Sequence, residues 1–200
     1  MRTLADSRVN YSGEAYSQFG EVTLFQLPLD LALTRDVDIL IMRSDLRIDA
    51  ELLALCRPRF IGCPTVGTDH VDFDYLSREG IAFAHAPDCN SDAVRDYLMA
   101  TILLLAVRED LRLSDMTLGV VGVGRIGSRV AGAASALGMK VLLNDPPRAR
   151  LEPGFESLPL DNLMDVDFLT LHVPLNPEGQ DRTLYLFDKD RLGRLRTGTI

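Results

Sequence analysis

The 200-residue sequence is short of positive charge: 21 Lys and Arg stand against 29 Asp and Glu, a formal net charge of -8. A surface that acidic repels phosphate backbones, which argues against nucleic acid as the main partner and leaves room only for a local basic pocket that takes a small anion. Cysteine is scarce as well. Cys56, Cys63 and Cys89 form no C-x-x-C pair and no metal-ligand spacing, and three is an odd number, so neither a disulfide framework nor a metal site is expected. They read as reduced, buried, small apolar residues of a cytoplasmic protein. Long apolar runs are missing too. The longest, residues 98–107, falls far short of the roughly 20 residues that cross a bilayer, and it reads as a buried helix. The N-terminal region, with Arg2, Asp6 and Arg8, has no apolar signal core, so nothing argues for membrane or export. There is no internal repeat and no low-complexity tract. Hydrophobic residues at 46% and charged residues at 25% lie in the ordinary globular range, so a packed core is expected.

Short β-rich runs alternate with helical patterns. Strands are expected at 22–25, 38–42, 59–61 and 81–84, with helices at 14–19, 50–55 and 72–79. Asp49 is placed to cap the second helix and Gly80 to end the third. Alternation of this kind implies βαβ units on a parallel sheet. A long helix then starts at a cap, Asn90 or Ser91, and runs to about Arg112. A second α/β unit follows, with strands at 118–123, 140–144 and 168–172 and helices at 126–137 and near 160–164. Its last strand begins near Thr199 and is cut off at Ile200. The expected division is 1–90 and 91–200, both units incomplete at the C-terminus and the chain a fragment of a longer protein.

The chemistry is carried by Gly122-Val123-Gly124-Arg125-Ile126-Gly127, a G-x-G-x-x-G run. Alone the match is weak. Here an apolar strand precedes it, a helix and another strand follow, and Asp145 closes that strand. Gly122 makes the tight turn, Gly124 lets a pyrophosphate approach the backbone, and Gly127 brings helix and strand close. The amides of Arg125 and Ile126 then face the phosphates from the positive end of a helix. A carboxylate at Asp145 accepts hydrogen bonds from the ribose hydroxyls of NAD and repels the 2′-phosphate of NADP. Arg148, close by, works against that preference. The cofactor read from this unit is NAD.

Three more segments narrow the field: Val66-Gly67-Thr68-Asp69-His70-Val71-Asp72, Ala86-Pro87-Asp88-Cys89-Asn90-Ser91 and Asn144-Asp145-Pro146-Pro147-Arg148. With the glycine run, they make the chain resemble the D-2-hydroxyacid dehydrogenases over nearly its whole length. The G-T-D-H and D-P-P-R runs are most similar to members that oxidise 4-phospho-D-erythronate to the 2-oxo acid with NAD, a step of pyridoxine biosynthesis. The resemblance implies a flavodoxin-like substrate domain over 1–90 and a doubly wound, Rossmann-type NAD-binding domain over 91–200. It implies that Ser44, Thr65 and Gly67 contact substrate, that Gly122, Gly124, Arg125, Ile126, Gly127, Asp145 and Val173 hold the cofactor, and that the complete protein is a homodimer. Arg43, beside Ser44, is a candidate phosphate partner on chemical grounds.

In similar enzymes an arginine, a glutamate and a histidine carry out the chemistry, and all three are expected beyond residue 200. The histidines present, His70, His85 and His172, read as two structural residues and one wall of the cofactor site. The chain departs from the family pattern at Asp88, Arg95, Val173 and Tyr185. Two other readings stay open: a relative acting on phosphoglycerate or a plain 2-hydroxy acid, and a non-catalytic NAD-binding module.

Overall fold

The computed structural model describes residues 1–200 and divides into two compact units, Met1–Cys89 and Asn90–Ile200. The first holds five parallel strands: β1 (Arg2–Asp6), β2 (Glu21–Phe25), β3 (Ile39–Ile41), β4 (Phe60–Cys63) and β5 (Ala82–His85). They lie in the order β2-β1-β3-β4-β5. Helices α1 (Ser12–Ser17) and α2 (Phe73–Glu79) connect them, with single 3-10 turns at Leu31–Thr34 and Leu52–Leu55. The core gathers Leu4, Phe25, Leu40, Met42, Ile48, Ile61 and Leu76. Each such side chain, once buried, contributes roughly 1.5–3 kcal/mol.

β1 was not expected from the sequence. Only Leu4 and Ala5 are apolar in Arg2-Thr3-Leu4-Ala5-Asp6, yet four of its five residues are buried and the strand sits between two neighbours. Asp6 is tolerated inside because its carboxylate meets the Arg8 guanidinium at 2.6 Å. The expected helix at 50–55 is only the 3-10 turn. Asp49 holds the approach to it, accepting from the amides of Glu51 and Leu52 at 3.0 and 3.1 Å, while the N-cap position itself is Glu51, whose side chain makes no cap bond. Gly80 ends α2 in the left-handed conformation (φ +67), where a residue without Cβ is favoured.

The second unit opens with α3 (Ser91–Arg108), which ends four residues before the expected Arg112 and gives way to a 3-10 turn at Leu113–Asp115. Neither expected cap works as one. Asn90 makes no side-chain cap bond, and the buried Ser91 hydroxyl has no partner; the Asn90 carbonyl accepts the first helical bond from Val94. Cys89, expected to be buried, is exposed in the turn before this helix, while Cys56 and Cys63 are buried. Three parallel strands follow, β6 (Thr117–Val121), β7 (Lys140–Asn144) and β8 (Phe168–Leu171), in the order β7-β6-β8. Ile200 accepts from the Leu169 amide of β8 at 2.9 Å and donates to the Asp167 carbonyl just before that strand at 3.0 Å. The helices of this unit are α4 (Arg125–Ala136), α5 (Pro146–Leu151) and α6 (Lys189–Arg194), with a 3-10 turn at Leu160–Leu163. α3 and α4 pack on the sheet around Met99, Ile102, Leu118, Val120, Val130 and Phe168. No helix is long and apolar enough to cross a membrane.

Candidate dinucleotide-binding site

β6 runs out into the glycine turn, and α4 starts from it with Gly124 at the N-cap position. Gly122 has φ +84. A Cβ there would lie 2.6 Å from the His172 carbonyl oxygen and 2.8 Å from Val173 Cγ1, so the turn is pressed against the segment leaving β8. Gly127 is tighter still: its Cβ would stand 2.0 Å from the Gly122 carbonyl oxygen. Gly124 is the opposite case, with nothing within 4 Å of a Cβ built on it. Two of the three glycines are thus required by packing, and the third leaves an open approach to the backbone.

That approach faces unpaired donors. No side chain caps α4, and its first intrahelical bond runs from the Ser128 amide to the Gly124 carbonyl at 2.9 Å. The amides of Arg125, Ile126 and Gly127 therefore have no intrahelical acceptor and carry the positive end of the helix dipole. An open cradle lined by free amides is what a phosphate needs.

Asp145 stands at the end of β7 and is half-buried. One carboxylate oxygen accepts from the Val123 amide at 2.7 Å and the other from the Arg148 amide at 2.9 Å. The same group thus ties down the glycine turn and caps α5, whose Pro146 and Pro147 occupy the first turn, where no backbone donor is needed. A carboxylate has about four lone-pair sites, so acceptor capacity remains for a ribose hydroxyl. Asp145 also donates its own amide to Ser157 Oγ at 2.8 Å. Val123, Gly124, Arg125, Asp145, Arg148 and Glu152 line one open cavity of about 730 Å³. The expected residues Gly124, Arg125 and Asp145 meet there. Val173 does not line it and packs over Gly122 instead. Arg148 joins the cavity from α5 and Glu152 from the residue that ends it, on a helix not expected from the sequence.

In the first unit, Ser44 lies in an exposed turn beyond β3, and Thr65 and Gly67 lie beyond β4. Arg43 and Asp45 flank Ser44, 3.9 Å apart. Asp45 also meets Arg8, at 2.9 Å, and Arg8 continues to Asp6. This Arg8 bond holds Asp6 below the usual carboxylate range, against the opposing effect of burial. No motif in the sequence points to Arg8 or Asp45. Their signal is positional, since both follow the carboxyl ends of neighbouring strands at the point where the order reverses.

The three histidines each have a partner, and none pairs with a carboxylate. His70 Nε2 is 3.4 Å from Cys63 Sγ, His85 Nδ1 is 3.1 Å from the Val66 carbonyl, and His172 Nε2 is 3.0 Å from Thr170 Oγ1. Burial pushes both His172 and His70 below the ordinary histidine value. The unfolded chain takes up these protons near pH 6.5, while the folded chain resists until lower pH. Stability is therefore lost as pH falls below about 6.5 and gains nothing further above it. Between pH 7 and 5 the melting temperature is expected to fall, with a shallower slope in His172→Gln. An equal slope in that variant excludes His172 as a source.

Residues 105–200 match the family described as D-isomer specific 2-hydroxyacid dehydrogenase, NAD binding domain. Over the whole chain, the erythronate-4-phosphate dehydrogenase of Chromohalobacter salexigens is 43% identical and that of Azotobacter vinelandii 44% identical. Residues 105–200 thus belong to the NAD-binding domain of the D-isomer-specific 2-hydroxyacid dehydrogenase family. The chain covers 53% of each of those two relatives and so spans about half the length of the curated proteins it matches. Among solved structures, a D-lactate dehydrogenase from Aquifex aeolicus, complexed with NAD and lactic acid, aligns with 98% of this chain and 66% of its own at a TM-score of 0.77 and 26% identity. The glycine turn, the open N-terminus of α4 and Asp145 all lie within the stretch matched by this NAD-binding-domain family, and the residues present fit a dinucleotide.

Proposed function

We propose that this chain is the cofactor-holding and first substrate-contacting part of an enzyme that oxidises 4-phospho-D-erythronate with NAD. The observation that carries the reading is the cavity where Gly124 leaves the backbone open, the α4 amides lack partners and Asp145 presents a carboxylate. The names of the curated relatives support the substrate. The cofactor would supply the acceptor for a hydride from C2 of the acid. The chain's own residues would bind and orient. Arg125, Ile126 and Gly127 would hold the pyrophosphate by their amides, Asp145 the ribose, and the Val173 segment the nicotinamide side.

We read the first unit as a flavodoxin-like substrate domain on the strength of its 2-1-3-4-5 strand order. There Ser44, Thr65 and Gly67 would receive the acid, and Arg43, tied to Asp45 only at 3.9 Å, its phosphate. The proton would be moved by residues outside these 200, because none of the three histidines pairs with a carboxylate that could support it as a base. We place the protein in the cytoplasm, as a homodimer that covers the outer stripe of α3 at Tyr97, Leu104 and Val107, which are 73%, 68% and 82% exposed. The absence of a histidine–carboxylate pair among these residues favours, as a second reading, a non-catalytic NAD-binding module.

Calorimetric titration of NAD into residues 1–200 is expected to show binding, and no NADH is expected to form when 4-phospho-D-erythronate is added. The complete gene product is expected to oxidise 4-phospho-D-erythronate in preference to 3-phosphoglycerate and D-lactate. Absence of NAD binding overturns the cofactor reading. Turnover confined to unphosphorylated acids overturns the substrate. No turnover of any acid by the complete product leaves the binding module as the function.

A further inference from the structure

One arginine in the cavity is already spoken for. The Arg148 guanidinium has five N–H donors. Nε donates to one oxygen of Glu152 at 2.6 Å and Nη2 to the other at 3.0 Å. Nη1 donates to the Val123 carbonyl at 2.7 Å and to Ser128 Oγ at 3.0 Å. Four of the five are used, and the guanidinium carbon lies 4.3 Å from the centroid of the Phe155 ring. The side chain is folded back onto the glycine turn, beside Asp145, where the adenosine ribose of a dinucleotide would lie.

A 2′-phosphate on that ribose needs a cation with a free fork of donors. Of the other arginines in the cavity, Arg129 is 3.1 Å from Asp92, and Arg125 stands at the start of α4, where the pyrophosphate would sit. Arg148 is thus the cation placed to meet a 2′-phosphate, and Glu152 holds it in a bidentate grip. Glu152 also adds a second carboxylate to the one at Asp145, in the same cavity.

We propose that Glu152 selects NAD over NADP at this site, by withholding the Arg148 fork and by placing a second negative charge beside the ribose. The inference rests on the reading of the α4 N-terminus as a dinucleotide site. It departs from the simpler rule in which the carboxylate after β7 does all the selecting. On that rule Glu152 is an exposed partner in a surface ion pair, and its removal leaves cofactor choice alone. On the present reading, removing Glu152 leaves one carboxylate and frees a cation, so the charge beside the ribose changes from net negative to balanced. Selection then comes from a repulsive element as much as from an attractive one.

Titrating NAD and NADP separately into the chain by calorimetry tests this, with wild type, Glu152→Gln, Glu152→Ala and the double variant Glu152→Ala/Arg148→Ala. The NAD-to-NADP affinity ratio is expected to drop at least tenfold in Glu152→Ala. Gln, uncharged but still able to accept one N–H, is expected to give a smaller drop. The double variant is expected to lose the gain for NADP, because it carries the same net negative charge beside the ribose as wild type and offers a 2′-phosphate no fork of donors. An unchanged ratio in Glu152→Ala with NAD binding retained overturns the proposal, as does a gain that survives removal of Arg148. Failure of both Glu152 variants to fold overturns it as well, since the pair would then be structural. A wild-type chain that binds neither nucleotide overturns the reading of the site itself.

Discussion

Gly127→Ala is expected to lower the stability of the second unit by about 3 kcal/mol or more, whereas Gly124→Ala, three residues away, changes it by less than about 0.5 kcal/mol. The obstacle at Gly127 is the Gly122 carbonyl oxygen, 2.0 Å from where a Cβ would stand, and it is backbone that cannot rotate away. To admit a methyl, α4 must lift off the turn, which disturbs Val130 and Ala134 in the core beneath. The melting transition should fall by about 10 °C or more. Gly124 has a negative φ and open space around it, so alanine there costs the fold little. Its methyl would occupy the approach that a pyrophosphate uses, and NAD affinity is expected to weaken by about tenfold or more. Thermal melts and calorimetry on the two variants separate packing from binding. Equal destabilisation by both, or undiminished NAD affinity in Gly124→Ala, contradicts this division of labour.

Asp145→Ala is expected to cost stability and binding together. Loss of the α5 cap and of the partner of the Val123 amide should amount to about 2–4 kcal/mol, from a cap of about 1 and an unsatisfied donor of about 1–3. The glycine turn loses its tie to β7 at the same time, so NAD binding should fall further than the missing ribose contact alone accounts for. Asp145→Asn keeps one acceptor and is expected to lie between wild type and alanine in both measurements. If Asp145→Ala weakens NAD binding while melting like wild type, the carboxylate acts on the ligand alone and its two internal bonds are without consequence.

The parts of the molecule that could be read from the sequence are those whose physics is local. The glycine run, the strand before it and Asp145 announce themselves by spacing, because a tight turn, an open helix end and a terminal carboxylate each demand one residue type. α5 was hidden by Pro146-Pro147, which looks like a turn until Asp145 is seen to cap a helix that needs no amides in its first turn. With α5 unread, the i,i+4 relation of Arg148 and Glu152 had no meaning, and Arg148 counted as a free cation near the ribose. The failed cap at Asn90 and the exposure of Cys89 depend on how the chain enters α3, which neighbouring residue types do not dictate. β1 was missed because two of its buried residues, Thr3 and Asp6, are polar, and the ion pair that makes Asp6 acceptable forms only in the folded chain.

The interior place of β1 bears on the order in which the first unit assembles. Thr3 pairs with Val22 on one side and with Ile39 on the other. The first strand of this unit to be made is therefore sheet interior, not sheet edge, and it waits with an open flank until β3 has been made. Parallel pairing through crossovers is slow relative to hairpin closure, because loop entropy must be overcome before any strand contact forms. During that interval Leu4 and Ala5 stand uncovered on a nascent chain. Synthesis slowed between β2 and β3 would lengthen the exposure, so the yield of soluble protein should respond to codon usage in that stretch more than to codon usage after β5.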